Sequence, residues 1–492
     1  MNAIQCWKTS MPVLHPEGIW KTSGRWKSTG LELMRLSDRH GENYCLAPTH
    51  EEMITELASS TISSYKELPL RLYQIGTKFR DEIRPRYGLI RAKEFVMKDA
   101  YTFDLNTQEA NVTYDAFVAA YHRILTTLKV PYVQVEADSG NIGGQMSHEF
   151  QILCEHGEDV VLSCNTCEYV ANEEKAEGRR QVEDMTLSFS PPTTTVDRIT
   201  WVTEAVEQCP QLQVLWYTSP QKKDSVFAVL YATHDGINEI KLKKEIQLLH
   251  SHVEEISILQ KTDVPSTATV IVLAETQLQT DMAIENLNSE KGAFHWCNFR
   301  KAAVGDTCPC CDGHLEEKKG IEVGHTFYLG DKYSSLFKTT VMDTNQKIVT
   351  VKMGCYGMGV SRLLQAVVES HHDDHGIRWS NVNVAPYQAV VISIGNRRGD
   401  DECSRIAAEI AKRLDATVFH NNVVLDDRYK ESPGSKMTEA ELLGYPYSII
   451  VGRSFTKTGQ VEVRERWTGH SELCEPAQLQ DWFLKKTTAF SS

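Results

Sequence analysis

Apolar positions recur at helical spacing in two stretches of the first third of the chain. Met53, Ile54, Leu57, Ala58 and Ile62 share one face, which predicts an amphipathic helix starting near Glu51. Thr49 and Glu52 stand at the spacing of a capping box. Tyr114, Phe117, Val118, Tyr121, Leu125 and Leu128 form a second stripe, of the kind that packs into a core. Between the helices lies an apolar run ending at Arg80 and Glu82, then a polar turn, then a strand-like run from Glu94 to Ala100. Val130 to Glu136 alternates as a strand. Further on, VFAVLYATHDGINEIKLKKEI and TVIVLAE read as strands and a helix of an α+β unit. The stretch VKMGCYGMGVSRLLQAVVES reads as an apolar strand, a turn at Gly354, Gly357 and Gly359, and a helix carrying Arg362. From about Asn381, AVVISIG, DECSRIAAEIAKRL, VVLDDR, KMTEAELLG and YSIIVG alternate strand with helix, as in a small α/β domain with a mixed sheet.

A chain of 492 residues holds two or three such domains. Its formal net charge of −14 argues against general adhesion to nucleic acid but leaves room for a local basic groove, with Arg84, Arg86 and Arg91 close together in the turn. No apolar stretch approaches the roughly 20 residues that cross a bilayer, so no membrane partner is expected. The opening residues, MNAIQCWKTSMPVLHP, have neither an Arg-rich, acid-poor transit character nor an apolar signal core. Thirteen cysteines without a signal peptide point to thiols or metal ligands rather than a disulfide framework.

The densest chemistry lies in TKFRDEIRPRYGLIRAKEFVMKDAYTFD. Arg80 and Glu82, two apart, project to one face of an extended chain, and a hairpin brings Arg91 and Phe95 beside them. Guanidinium groups bind phosphate oxygens in bidentate fashion, an aromatic ring stacks on a base, and a carboxylate accepts from an exocyclic amine. A solvated hairpin of weak ion pairs is the competing reading of the charges alone. Cys164 and Cys167, then Cys308 and Cys311, form two CxxC knuckles suited to one tetrahedral zinc. About 140 residues separate them, well beyond the usual spacing, so four free or buried cysteines is the alternative.

The spacing of FRDE and RAKEF resembles motif 2 of class II aminoacyl-tRNA synthetases, and KFRDEIRPRYGLIRAKEFVMKDAYTF resembles the prolyl enzymes of bacterial and mitochondrial type. MPVLHP is similar to the end of motif 1, the dimer-forming helix and strand, with Pro12 at its proline. By that resemblance the chain begins inside the motif, as from a truncated gene model or an alternative start. The homodimer it implies would be weakened accordingly. VKMGCYGMGVSR resembles motif 3. The fold implied is an antiparallel class II catalytic sheet flanked by helices over residues 1–175 and 307–380, split by an α+β insertion over 176–306. An α/β anticodon-binding domain follows over 381–492.

The resemblance implies proline–tRNA ligase activity: ATP and Mg²⁺ drive formation of prolyl-adenylate, and L-proline passes to tRNA(Pro). A catalytically impaired or RNA-binding paralogue is the alternative. Arg80 is assigned to the α-phosphate, Glu82 and Phe95 to adenine, Arg91 and Arg362 to the γ-phosphate, and Glu158 to Mg²⁺. PTHE resembles the loop that holds the amino group of proline, which assigns Thr49 and Glu51 to it and leaves Glu52 for the helix cap. Met97, Asp99, Tyr101 and His325 complete the proline pocket. GNIGGQMSHEF resembles a bordering segment, with Gly143 and Gly144 allowing close backbone approach and Ser147, His148 and Glu149 as lining. Asp427, Arg428 and Lys436 are the anticodon readers implied. HDGINEIKLKKEI resembles the editing insertion of bacterial relatives without its glycine- and proline-bearing loop, so weak editing is expected. The compartment implied is the mitochondrial matrix, with the cytoplasm as the alternative.

Overall fold

The computed structural model describes residues 1–86, 88–137, 142, 146–180, 195–222, 224–253, 255–265, 268–276, 278 and 294–490. Gly143 and Gly144 lie outside the described residues.

A nine-stranded sheet carries the first domain. Its strands are β1 (Trp7–Lys8), β2 (Leu70–Phe79), β3 (Glu94–Asp104), β4 (Tyr132–Glu136), β5 (Met146–Leu153), β6 (Asp159–Cys164), β7 (Val170–Asn172), β8 (Leu315–Gly330) and β9 (Lys352–Gly359). The order is β1-β2-β3-β9-β8-β5-β4-β7-β6, with β8 also paired to β6. The β1–β2 and β4–β7 pairs are parallel and the remaining pairs antiparallel. Because β8 is long, its first part pairs β6 while its second part pairs β5 and β9, and the strands β8-β5-β4-β7-β6 close into a ring.

Period-two alternation divides the sheet into two faces. One face buries Ala100, Phe150, Ile321, Tyr356 and Met358 against helix α2 (Thr107–Leu128) and helix α3 (Val360–Ser370). Phe117 on α2 stacks on Tyr356 with ring centroids 3.9 Å apart. The other face buries Tyr101, Phe103, Phe327 and Cys355 against helix α1 (Glu51–Thr61). Helix α1 begins where the periodicity places it, but the capping box does not form: His50 is the N-cap residue, with no side-chain cap bond. Glu52 is fully buried instead. The glycines of VKMGCYGMG also differ from expectation, since they lie within β9 and not in a turn. A Cβ on Gly354 would sit 2.2 Å from the Tyr356 hydroxyl oxygen, so glycine is required there by close approach.

The insertion is a three-layer α/β unit. Its strands run in the order 257–259, 212–218, 225–232, 269–275, 294–297. Helix Thr195–Gln208 packs one face and helix Glu239–Leu249 the other. At its root Arg300 is buried and donates to Asp235 at 2.7 Å and to both oxygens of Asp306 at 2.6 and 2.7 Å. Arg180 adds a second bond to Asp235 at 2.7 Å. The C-terminal domain is a mixed five-stranded sheet ordered 423–426, 389–393, 447–451, 461–465, 471–474, the first three parallel.

Removing Arg300 leaves the buried Asp306 without its cation and Asp235 with Arg180 alone, at a cost of about 3–5 kcal/mol. Arg300→Met is expected to lower amide protection in 225–232 while β3 and β9 keep theirs, read by hydrogen exchange. Unchanged protection in 225–232 would show that the network does not hold the insertion.

Candidate active site

A cavity of about 520 Å³ opens on the α1 face of the sheet. The alternation of β3 turns Phe95, Met97, Asp99 and Tyr101 into it, and β9 presents Cys355, Gly357 and Gly359 alongside. A bulge in β8 shifts the register between Glu322 and Gly324, which turns both Glu322 and His325 to the same side although they are three apart. Arg80, Glu82 and Arg91 come from the β2–β3 hairpin, Arg362 from α3, and Thr49 and Glu51 from the start of α1; all line the cavity.

At the hairpin end the Arg80 guanidinium lies 5.4 Å from the centre of the Phe95 ring and 3.7 Å from Glu32. Arg362 donates to the carbonyls of Ile90 and Glu322 at 2.8 and 3.0 Å, which fixes its approach to the cavity. Glu158 does not line the cavity: it pairs with Arg86 at 2.6 Å and Arg91 at 3.4 Å. Its carboxylate is therefore committed to holding the hairpin, which corrects its assignment to Mg²⁺.

Glu149, Glu322 and His325 instead bring their ligand atoms within 4.8 Å of one another. Burial and the charge of Glu322 push the Glu149 carboxyl up to about 8. Burial alone would raise Glu322 too, but the His325 hydrogen bond at 3.1 Å and the charges of His325, Arg362 and Arg80 outweigh it and hold Glu322 down to about 2. Ser147 fixes the far side of the His325 ring at 2.5 Å. His148 turns away to the Tyr114 hydroxyl at 2.7 Å.

The opposite end of the cavity is acidic and closed. Glu51 accepts from the Thr49 hydroxyl at 2.5 Å and from Arg25 at 3.2 Å, and lies 3.3 Å from the Cys355 sulfur. Asp99 is paired to the buried Lys78 at 2.8 Å and accepts from Tyr101 and Gln74. Arg25, Glu32, Glu322 and Cys355 are lining residues that sequence reasoning missed. SGRW and GCYG carry no spacing signal of their own, and only the fold brings them to this pocket.

The two knuckles meet across the insertion. The Cys164, Cys167, Cys308 and Cys311 sulfurs lie within 4.8 Å of one another, with the pairs Cys164–Cys311 and Cys167–Cys308 at 3.5 and 3.6 Å. Backbone N–H groups of Thr166, Cys167, Cys310 and Gly313 donate to the sulfurs. Zinc–sulfur bonds of about 2.3 Å in a tetrahedron place sulfurs roughly 3.8 Å apart, so the four thiols fit one ion. In the C-terminal domain Asp427 is exposed, whereas Arg428 is held by Asp426 and Glu439. Lys436 is buried and donates to the carbonyls of Ser393 and Asp426 at 3.0 and 3.1 Å. It supports the loop from within, which corrects its assignment to base reading.

Arginines from a hairpin and from the helix after the last strand, facing one cavity on an antiparallel sheet, define a class II aminoacyl-tRNA synthetase core. Residues 34–371 match the family described as tRNA synthetase class II core domain (G, H, P, S and T), and 388–486 match the anticodon binding domain. The chain belongs to the proline–tRNA ligase family. It is 38% identical to the proline–tRNA ligase of Geobacter sp. (strain M21) over 97% of this chain and 87% of that one. With that of Desulfotalea psychrophila it is 37% identical over 99% and 88%. In fold it is similar to the prolyl-tRNA synthetase of Cryptosporidium parvum complexed with L-proline and AMP (TM-score 0.58, 13% identity, 99% of this chain and 66% of that chain). The Giardia lamblia enzyme in complex with prolyl-adenylate gives a TM-score of 0.57 at 16% identity, over 97% and 65%.

Arg80→Lys or Arg362→Lys keeps the charge and loses the planar fork. Each lost charge-assisted bond is worth about 1.5 to 3 kcal/mol, so at least a tenfold fall in the rate of adenylate formation is expected, with the fold intact by circular dichroism. Near-normal rates in either variant would remove that arginine from the site.

Proposed function

We propose that the chain is a proline–tRNA ligase that activates L-proline with ATP and transfers it to tRNA(Pro). The observation that carries this reading is one cavity with an arginine-lined end and a closed acidic end, sized for a nucleotide beside a small amino acid whose ammonium faces the acids. Arg80 would hold the α-phosphate, Arg91 and Arg362 the γ-phosphate, and Glu82 and Phe95 the adenine. Thr49 and Glu51 would take the ammonium of proline, with Met97, Tyr101 and His325 around its ring. The proline carboxylate then attacks the α-phosphorus in line and pyrophosphate leaves. These residues supply position and charge stabilisation, not a covalent nucleophile.

Glu149 and Glu322 would hold the Mg²⁺, which when bound neutralises phosphate charge. The four knuckle cysteines would hold a structural zinc, which fixes the two roots of the insertion together. Exposed Trp7 on β1 and Ile75 on the adjoining β2 support a homodimer. The compartment proposed is the mitochondrial matrix, on the resemblance to the enzymes of bacterial and mitochondrial type alone. The impaired-paralogue reading is disfavoured because Arg80, Arg91 and Arg362 all reach one cavity.

The test of function is ATP–pyrophosphate exchange, which is expected to require L-proline. Absent exchange, or exchange indifferent to proline, would overturn the reading. For zinc, metal analysis is expected to give about one ion per chain, lost on any single Cys→Ser at the four ligands. Cys310, which is exposed, is expected to be dispensable. Metal-free protein of full activity and stability would overturn the zinc assignment.

A further inference from the structure

We propose that Arg25 is a positioning residue for proline recognition: its guanidinium holds the Glu51 carboxylate toward the cavity while sharing itself with Glu52, so that the cluster is completed by the substrate's ammonium. The inference rests on reading the acidic end of the cavity as the site of the amino group.

The geometry is unusual for a purely structural ion pair. One Arg25 nitrogen lies 3.2 Å from Glu51 and 3.2 Å from both oxygens of Glu52. The three side chains are almost wholly buried. The guanidinium is 4.9 Å from the centre of the Trp20 ring and 6.0 Å from that of Tyr333, which limits its freedom to move. Its Nε is buried without a hydrogen-bond partner. Ser23 fixes the far glutamate, Glu52, at 2.7 Å. Two buried carboxylates on one cation leave a formal charge of −1, an arrangement that costs stability and is expected where function requires it.

Among the described residues, no second cation forms an ion pair with Glu51 or Glu52. Lys78 on β2 is committed to Asp99 on β3. His15 and His50 are lowered by burial to about 3 and 4, and so are neutral near pH 7. Cys355 on β9, Tyr101 on β3 and Tyr333 are raised by burial and stay protonated. Lys332, on the turn after β8, donates to the Ile142 carbonyl at 2.7 Å and lies over the Tyr333 ring; its charge acts on Glu51 and Glu52 from outside the cluster without a direct ion pair to either. Within the cluster, burial would raise both glutamates. Arg25 and the Thr49 hydroxyl outweigh it at Glu51, whose carboxyl falls below its ordinary range. At Glu52 burial and the charge of Glu51 prevail over Arg25, and the carboxyl is raised.

Charge balance then makes a prediction that packing alone does not. Arg25→Gln leaves two acids repelling each other; Glu51 is pushed up and binds ammonium only once ionised. Its KM for proline is expected to rise at least about tenfold near neutral pH and to recover as pH increases from about 6 to 9. The KM for ATP should stay within about twofold. Glu52→Gln, whose side chain does not line the cavity, lets Arg25 neutralise Glu51 fully and raises the proline KM without a pH slope. The double variant restores a single uncompensated carboxylate and is expected to bind proline better than either single one. Arg25→Lys, which keeps the charge but loses the span, should lie between wild type and Arg25→Gln.

The measurement is proline-dependent ATP–pyrophosphate exchange by the full chain over that pH range. Loss of proline and ATP recognition in parallel, a proline KM unchanged in the single variants, or a double variant no better than either would overturn the proposal. If Arg25→Gln fails to fold, Glu52→Gln and the double variant decide it. Absence of exchange in the wild-type chain would instead refute the functional reading itself.

Discussion

Burial of charge at the floor of the cavity is the constraint on which the site depends. Glu51, Glu52, Arg25, Lys78 and Asp99 are all nearly inaccessible, and each is costly to bury unless its partners are held in place. The holding is done from four directions. The short helix Arg25–Ser28 brings the guanidinium, α1 brings both glutamates, β2 brings Lys78, and β3 brings Asp99 with Tyr101. Tyr101 ties two of these together, donating to Asp99 at 2.9 Å and accepting from the His50 backbone at 2.9 Å. The start of α1 is thus fixed to the sheet at the point where the amino acid would sit.

Strand β8 links this pocket to the insertion. It begins four residues after Cys311, pairs with β6 along the stretch that ends in Cys164, and then carries Glu322 and His325 into the cavity after its bulge. The cysteine cluster therefore lies at one end of a strand whose middle lines the cavity. The Arg300 network with Asp235 and Asp306 braces the same junction from the insertion side. A unit inserted far along the chain is in this way attached without disturbing the register of β8 against β9.

Much of this was legible from sequence because the motifs are local. Arg80, Glu82, Arg91 and Phe95 stand on one hairpin, so alternation and a turn suffice to bring them together. The same holds for the helical stripes of α1 and α2. Other residues were misread because their chemistry is decided by distant partners. Glu52 has the spacing of a cap residue, yet Arg25, 27 residues earlier, draws it into the core. Glu158 was read as a metal ligand, but the hairpin arginines reach it first. Lys436 sits beside an exposed loop in sequence and under it in space. The Glu322–His325 pair depends on a bulge, which a strict period of two does not predict. The meeting of the two cysteine knuckles was the reverse case: ligand chemistry suggested it despite a separation that argued against it.

The account turns on a buried acidic pocket in which two carboxylates share one guanidinium. Isothermal titration of the full chain with L-proline and with tetrahydrofuran-2-carboxylate, in which an ether oxygen replaces the ring ammonium, tests this most directly. The two ligands share ring size and carboxylate and differ in that one charge. The pocket described here is expected to bind proline, and to bind the ether at least about 100-fold more weakly, since a buried charge deprived of its partner costs roughly 3 kcal/mol or more. Equal affinity for the two would contradict it.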